Sequence, residues 1–174
     1  MTAVIKPIVY EEASSEVRAE YERQYRTNGT VTNAKKTLLH HLPSYRAYEE
    51  WHRLREALLK FVSHRAFAVF CYAISLEGGC ALNAAAYRKT LTDRGENPDE
   101  LLLDDEEQAL ERYGRRLASA PNDVPAALFA HLSQYYSPEQ IVALTAFAGQ
   151  MIALNVFVSA LRVELDEYLL HFTS

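Results

Sequence analysis

From Ser14 onward, apolar residues recur at spacings of three and four, and no alternating stretch of useful length interrupts them. The chain therefore reads as a succession of helices, with no internal repeat. Val17, Tyr21 and Tyr25 share one face of a first helix that stops at the Asn28-Gly29 turn. A second, short helix runs to His40-His41. Pro43 suits the first turn of a third, along which Tyr45, Tyr48, Trp51, His52, Arg55, Leu58 and Leu59 form a stripe broad enough to be a buried face. Ser63 caps a fourth helix that reaches Leu76. Gly78-Gly79 then breaks the chain, and Cys80 opens a fifth that continues to about Leu91.

Residues 93–98 read as a loop. The following helix carries Asp104, Asp105, Glu106 and Glu107 at its start and Arg112, Arg115 and Arg116 near its end, complementing the helix dipole as a solvated face would. After a second loop, from Ser119 to Pro125, comes a short helix through Leu132. Ser137-Pro138-Glu139-Gln140 then combines a cap, a first-turn proline and a capping-box glutamine. From Ile141 to Leu161 there is no charged residue, a length that would suffice for a membrane span. Thr145, Asn155 and Ser159, however, fall on one side of this helix as a polar seam, which fits a central or interface helix and not a membrane.

A length of 174 residues suits one domain with a real core, and 49% hydrophobic with 24% charged residues is ordinary globular composition. Six glycines and six prolines are too few for a turn-rich β architecture, so the expected class is all-α. The net charge of −5 gives no basic footprint for a phosphate backbone, and no nucleic-acid partner is expected. Two cysteines cannot make the disulfide framework of a small secreted domain. The N-terminal segment, broken by Lys6 and Pro7, lacks a signal-peptide apolar stretch, so a cytoplasmic location is expected.

Cys80 carries the most chemical information. A thiol at a helix start, behind two glycines, meets unpaired N–H groups and the positive end of the dipole, which favour thiolate. A nearby Glu77 opposes that effect. Asn83, Ala84 and Tyr87 follow on the same face; Asn can hold a carbonyl or water and Tyr can donate a proton. Against this stands the plain reading of Cys80 as a small buried residue. Cys71 offers no disulfide partner, since nine residues of continuous helix rise about 13 Å against a Cα separation limit near 7 Å. Glu49 and His52 have di-iron-type spacing, but no second copy exists and no metal is expected. His40 and His41 precede a helix and can act as acid or base if they face a pocket.

The segment Gly79-Cys80-Ala81-Leu82-Asn83-Ala84-Ala85-Ala86-Tyr87, with Gly95 eight residues beyond Tyr87, resembles the core of the alkylhydroperoxidase AhpD and carboxymuconolactone decarboxylase superfamily. Val31-Thr32-Asn33, Leu39 to Pro43, Leu154-Asn155 and Val163 to Glu167 extend the resemblance from about Glu16 to Glu167. It implies an AhpD-like domain of about eight helices over residues 1–174, with 1–13 as an N-terminal extension. It also implies a homo-oligomer: a dimer, trimer or hexamer. The family's run is Gly-Cys-x-x-Cys-x-x-x-His; here Asn83 takes the second cysteine, Tyr87 the histidine and Ala68 the relay glutamate. Asn cannot form a disulfide and Ala cannot move a proton, so two-cysteine peroxidase chemistry is not expected.

What remains is a cofactor-independent enzyme acting on a small organic substrate in a pocket between helices. Cys80, Asn83 and Tyr87 would be its catalytic residues, and Glu77 and His41 would bind substrate. The reaction would be decarboxylation or proton transfer next to a carbonyl, or a one-cysteine reaction with peroxide. The alternative is an oligomeric ligand-binding or scaffold protein that has lost catalysis.

Overall fold

The computed structural model describes residues 2–173. Among them are nine α-helices and two short 3₁₀ turns, at Tyr10–Glu12 and Glu167–Phe172, and no strand. The helices are α1 (Ser15–Asn28), α2 (Asn33–Leu38), α3 (Leu42–Glu50), α4 (His52–Leu58), α5 (His64–Glu77), α6 (Ala81–Thr92), α7 (Asp105–Ser119), α8 (Ala126–Leu132) and α9 (Pro138–Ala160). The outer limits expected for the domain, Met1 and Ser174, lie outside the described residues.

Local chemistry sets most of the boundaries. The side chains of Ser14, Thr32, Ser63, Asp104 and Ser137 each accept from a backbone N–H at a helix start, and the last two complete capping boxes with Glu107 and Gln140. The expected third helix is two helices. Trp51 closes α3 and precedes α4, which turns the stripe apart and leaves His52 and Arg55 exposed while Tyr45 and Leu58 are buried. Within α1, Tyr25 is exposed and Gln24 is buried in its place. Gln24 there bonds Glu49, Asn28 and Lys35, so a polar network displaces the expected aromatic.

The centre of the fold is α5, where every residue from Ala66 to Ser75 is buried, as befits a helix that is apolar all round. Helix α9, expected to be central, instead flanks it: Leu144, Phe147, Ala148, Met151, Asn155 and Val158 face inward while Val142, Gly149 and Val156 face out. Gly114 lets α7 lie close on α5, since a Cβ there would come within 3.0 Å of Ile74 Cγ1 and 3.1 Å of Phe70 Cδ2. The same interface corrects the reading of the acidic run as wholly solvated. Glu107 is buried and is bonded by Arg65, which also holds Glu96 and the carbonyl of Leu102.

Candidate functional site

Helix α5 ends in a turn that places Cys80. Gly79 adopts φ +63°, its N–H donates to the Leu76 carbonyl at 3.0 Å, and the Cys80 N–H donates to the Ser75 carbonyl at 2.9 Å. This is a Schellman closure that requires a left-handed residue, hence the glycine. Cys80 thereby becomes the N-cap of α6 with only 1% of its surface exposed. It packs with Ala34, Leu82, Val158 and Val163.

The thiol sits under opposing influences. Burial pushes its pKa up, while the N–H of Asn83, the hydroxyl of Ser159 and the N–H of Leu82 pull it back; the net direction is upward. These donors lie near the sulfur without closing a regular capping hydrogen bond. Two hollows meet at Gly79, Cys80 and Ala81. One, of about 210 Å³, runs between α5 and α6 along Tyr72, Ser75, Ala84, Arg88 and Phe172. The other, of about 670 Å³, runs along Leu82, Val158, Ser159, Arg162, Val163 and Leu170. Both are lined by apolar groups with a few polar ones. Arg88 is tied to Tyr72 Oη at 3.1 Å and to Asp99.

The remaining residues singled out in the sequence do not converge on these hollows. Asn83 is buried and donates from Nδ2 to Oδ1 of Asn155 at 2.7 Å. The Tyr87 hydroxyl donates to Met151 Sδ at 3.8 Å, beside the thiol of Cys71, and burial drives its pKa well above the usual tyrosine value. Ala68 packs with Val69, Tyr72 and Leu91. Glu77 pairs with Arg115 at 3.3 Å. His41 caps α3, its Nδ1 lying 2.7 Å from Ser44 Oγ, and His40 Nε2 lies 2.9 Å from the carbonyl of Lys6. Cys71 and Cys80 are free thiols in separate parts of the core.

Glu49 and His52 are 3.4 Å apart, but Glu49 is shared with Lys35 at 3.1 Å and with Gln24. Burial would raise the Glu49 pKa, and hydrogen bonding to His52 with the charge of Lys35 outweighs it, so the carboxylate is held below its ordinary value. Among the residues at the hollows, Ser159 shows in the sequence only as part of a polar seam, while Arg88 and Phe172 carry no periodic or motif signal.

The arrangement of helices around α5 is the fold of the AhpD-like proteins. Among solved structures, the debrominase Bmp8 superposes with a TM-score of 0.77 at 15% identity, covering 99% of this chain and 97% of that one. A peroxidase-related protein of Ralstonia eutropha JMP134, described as an alkylhydroperoxidase AhpD core, superposes at 0.74 with 15% identity over 96% and 94% of the two chains. One from Silicibacter sp. TM1040 does so at 0.74 with 13% identity over 94% and 93%. No protein-family model and no curated protein matches the sequence. At identities of 13–15% this likeness is one of fold alone.

Proposed function

We propose that the hollows beside Cys80 bind a small, largely apolar organic molecule and that Cys80 reacts with it as a single nucleophilic thiol. The observation that carries this reading is the placement of the sulfur. Cys80, itself buried, borders both hollows at a helix N-terminus, with two backbone N–H groups and the Ser159 hydroxyl turned toward its sulfur. The proton-transfer alternative draws less support, because Tyr87 and Asn83 spend their polar atoms on Met151 and Asn155. Bmp8 adds a chemical parallel: a cysteine-to-alanine variant of that protein forms a complex with 2,3,4-tribromopyrrole.

With an organic hydroperoxide, the thiolate attacks the distal oxygen, the O–O bond breaks, and the alcohol leaves with a proton while Cys80 becomes a sulfenic acid. A small external thiol then forms a mixed disulfide with loss of water. A second thiol releases the first as a disulfide and restores Cys80. Asn83 removes the internal resolving route, so the external thiol is required.

A second reading is favoured by the raised pKa of Cys80 and by the packing roles of Ala68, Asn83 and Tyr87: a ligand site without turnover. Mass spectrometry of the protein treated with an organic hydroperoxide and then a small thiol separates the two. A mixed disulfide confined to Cys80, with thiol-dependent loss of peroxide, supports catalysis. An unmodified Cys80 alongside calorimetric binding of a small halogenated or aromatic ligand supports the binding reading.

A further inference from the structure

Two helices end at the larger hollow beside Cys80, and they end alike. At the close of α5 the N–H groups of Gly79 and Cys80 donate to the carbonyls of Leu76 and Ser75; at the close of α9 those of Arg162 and Val163 donate to Ser159 at 3.1 Å and Val158 at 2.9 Å. Both turns are Schellman closures, and each needs a left-handed residue. The first uses glycine at φ +63°. The second uses Arg162 at φ +51°, the one non-glycine residue with positive φ among those described. Glycine adopts that conformation without crowding a Cβ, so the turn itself gives no reason for a side chain here.

What the side chain meets is the hollow. Arg162 lines it, as does Glu164 two residues on, and among the described residues no other charged group does. Both are exposed, and neither has an ion-pair partner within 4 Å among the described residues, the other included. The backbone carrying Glu164 is anchored: Asn33 Nδ2 donates to the carbonyls of Glu164 and Leu165, each at 3.2 Å, and the Asn33 N–H donates to the Asp166 carboxylate at 2.8 Å. The Cys80 thiol answers to burial and to three hydrogen-bond donors, with no charge among its influences, which puts both charges at the rim away from the sulfur. Opposite charges that are held in place and unpaired with each other match a ligand carrying an anion and a cation side by side.

The two hollows therefore differ in kind. In the smaller, of about 210 Å³, the charged group is Arg88, already bound by Tyr72 and Asp99, and such a space suits a neutral organic molecule. The larger, of about 670 Å³, offers free charge of both signs. Peroxide turnover at a single cysteine needs a second reactant at the sulfur after the first has left.

We infer that the larger hollow receives the external thiol that resolves oxidised Cys80, and that this thiol is of the amino-acid type, its carboxylate held by Arg162 and its ammonium by Glu164. This rests on the reading of Cys80 as a nucleophile. Once an organic hydroperoxide has oxidised Cys80 to the sulfenic acid, the sulfur of the docked thiol attacks the Cys80 sulfur. The S–O bond breaks, and hydroxide leaves with the thiol's proton as water. A second thiol then attacks the ligand's sulfur in the mixed disulfide, the ligand departs as a disulfide, and Cys80 regains a proton.

Mass spectrometry of Cys80 after treatment with cumene hydroperoxide follows the rate at which the mixed disulfide forms. L-cysteine carries both charges, 3-mercaptopropionate the carboxylate alone, cysteamine the ammonium alone and 2-mercaptoethanol neither. Taking each rate as a ratio of native to variant cancels the thiol's intrinsic reactivity. Arg162→Gly, which the turn accepts without strain, is expected to slow L-cysteine and 3-mercaptopropionate about two- to fivefold, the scale of one exposed ion pair, and not to slow the other two. Glu164→Gln should slow L-cysteine and cysteamine by about the same factor. Both effects should shrink at about 1 M salt. Equal ratios for all the thiols, with Cys80 oxidised normally, would overturn the inference and leave the nucleophile standing. A Cys80 that cumene hydroperoxide does not oxidise would overturn the nucleophilic reading itself. Equilibrium binding of S-methyl-L-cysteine, which has no thiol, then decides the docking site: binding that both variants lose supports it, and binding that is absent, or equal in all three proteins, overturns it.

Discussion

Asn83 Nδ2 donates to Asn155 Oδ1 at 2.7 Å across the contact of α6 with α9, and both side chains are buried. The Nδ2 of Asn155 has no acceptor of its own among the described residues. The pair therefore stands at the edge of what a buried polar contact tolerates.

Replacing Asn83 by alanine leaves the Asn155 amide without its one partner, and the expected cost is about 1–3 kcal/mol. Asn83→Leu together with Asn155→Leu removes both polar groups and should cost less than the sum of the single changes. Urea denaturation of the native protein, Asn83→Leu, Asn155→Leu and the double variant measures the coupling; strictly additive effects would show that the contact is not made in solution.

A larger effect is expected at Arg65, which bonds the buried carboxylate of Glu107 and ties it to Glu96 and the Leu102 carbonyl. Arg65→Met strands that carboxylate between α5 and α7, and a loss of about 3–5 kcal/mol is expected. Arg65→Met with Glu107→Leu should recover a good part of it. A single variant as stable as the native protein in urea would mean that Glu107 finds water.

Such pairings mark where the sequence stops being legible. Helix starts could be read from Ser14, Ser63, Asp104 and Ser137 because a cap is satisfied within three residues of itself. The turn that positions Cys80 was equally local, being written in two glycines. Glu107 looked like part of a solvated run because its partner Arg65 lies 42 residues away, and Asn155 meets Asn83 across 72. The break at Trp51 also escaped, since the apolar spacing continues through it. For the site the motif located the sulfur, but whether Tyr87 faced the same space depended on Cys71 and Met151, residues of other helices.

Alkali should weaken the fold in a way that reports on Cys71. Burial pushes this thiol from an ordinary value of 9.0 up to about 12. Between those values the unfolded chain has released the proton and the folded chain retains it, so unfolding gains free energy as pH rises. Stability from this group is complete below about pH 9 and falls as pH climbs toward about 12. Cys71→Ala should flatten the fall, whatever its effect at neutral pH. Urea midpoints for both proteins at about pH 8 and about pH 10.5 provide the comparison; parallel losses would assign the alkaline transition to other groups, such as the buried Tyr87.

Cys80→Ser separates a site cysteine from a packing one. Cys80 is buried, which by itself argues that a hydroxyl would be costly there. Its surroundings argue the other way, because the N–H groups of Leu82 and Asn83 and the hydroxyl of Ser159 already face the sulfur and can serve a serine at a helix N-cap, where serine is a preferred residue. The expected loss is therefore below about 1 kcal/mol, with thiol-dependent peroxide turnover abolished. Iodoacetamide labelling of the native protein adds the kinetic half of the test. Labelling of Cys80 should be slow near neutrality and accelerate as pH rises, since burial holds the thiol protonated beyond its ordinary value. A loss above about 2 kcal/mol in urea, together with no labelling short of unfolding, would show that the sulfur serves as core packing and that the nucleophilic reading should be abandoned.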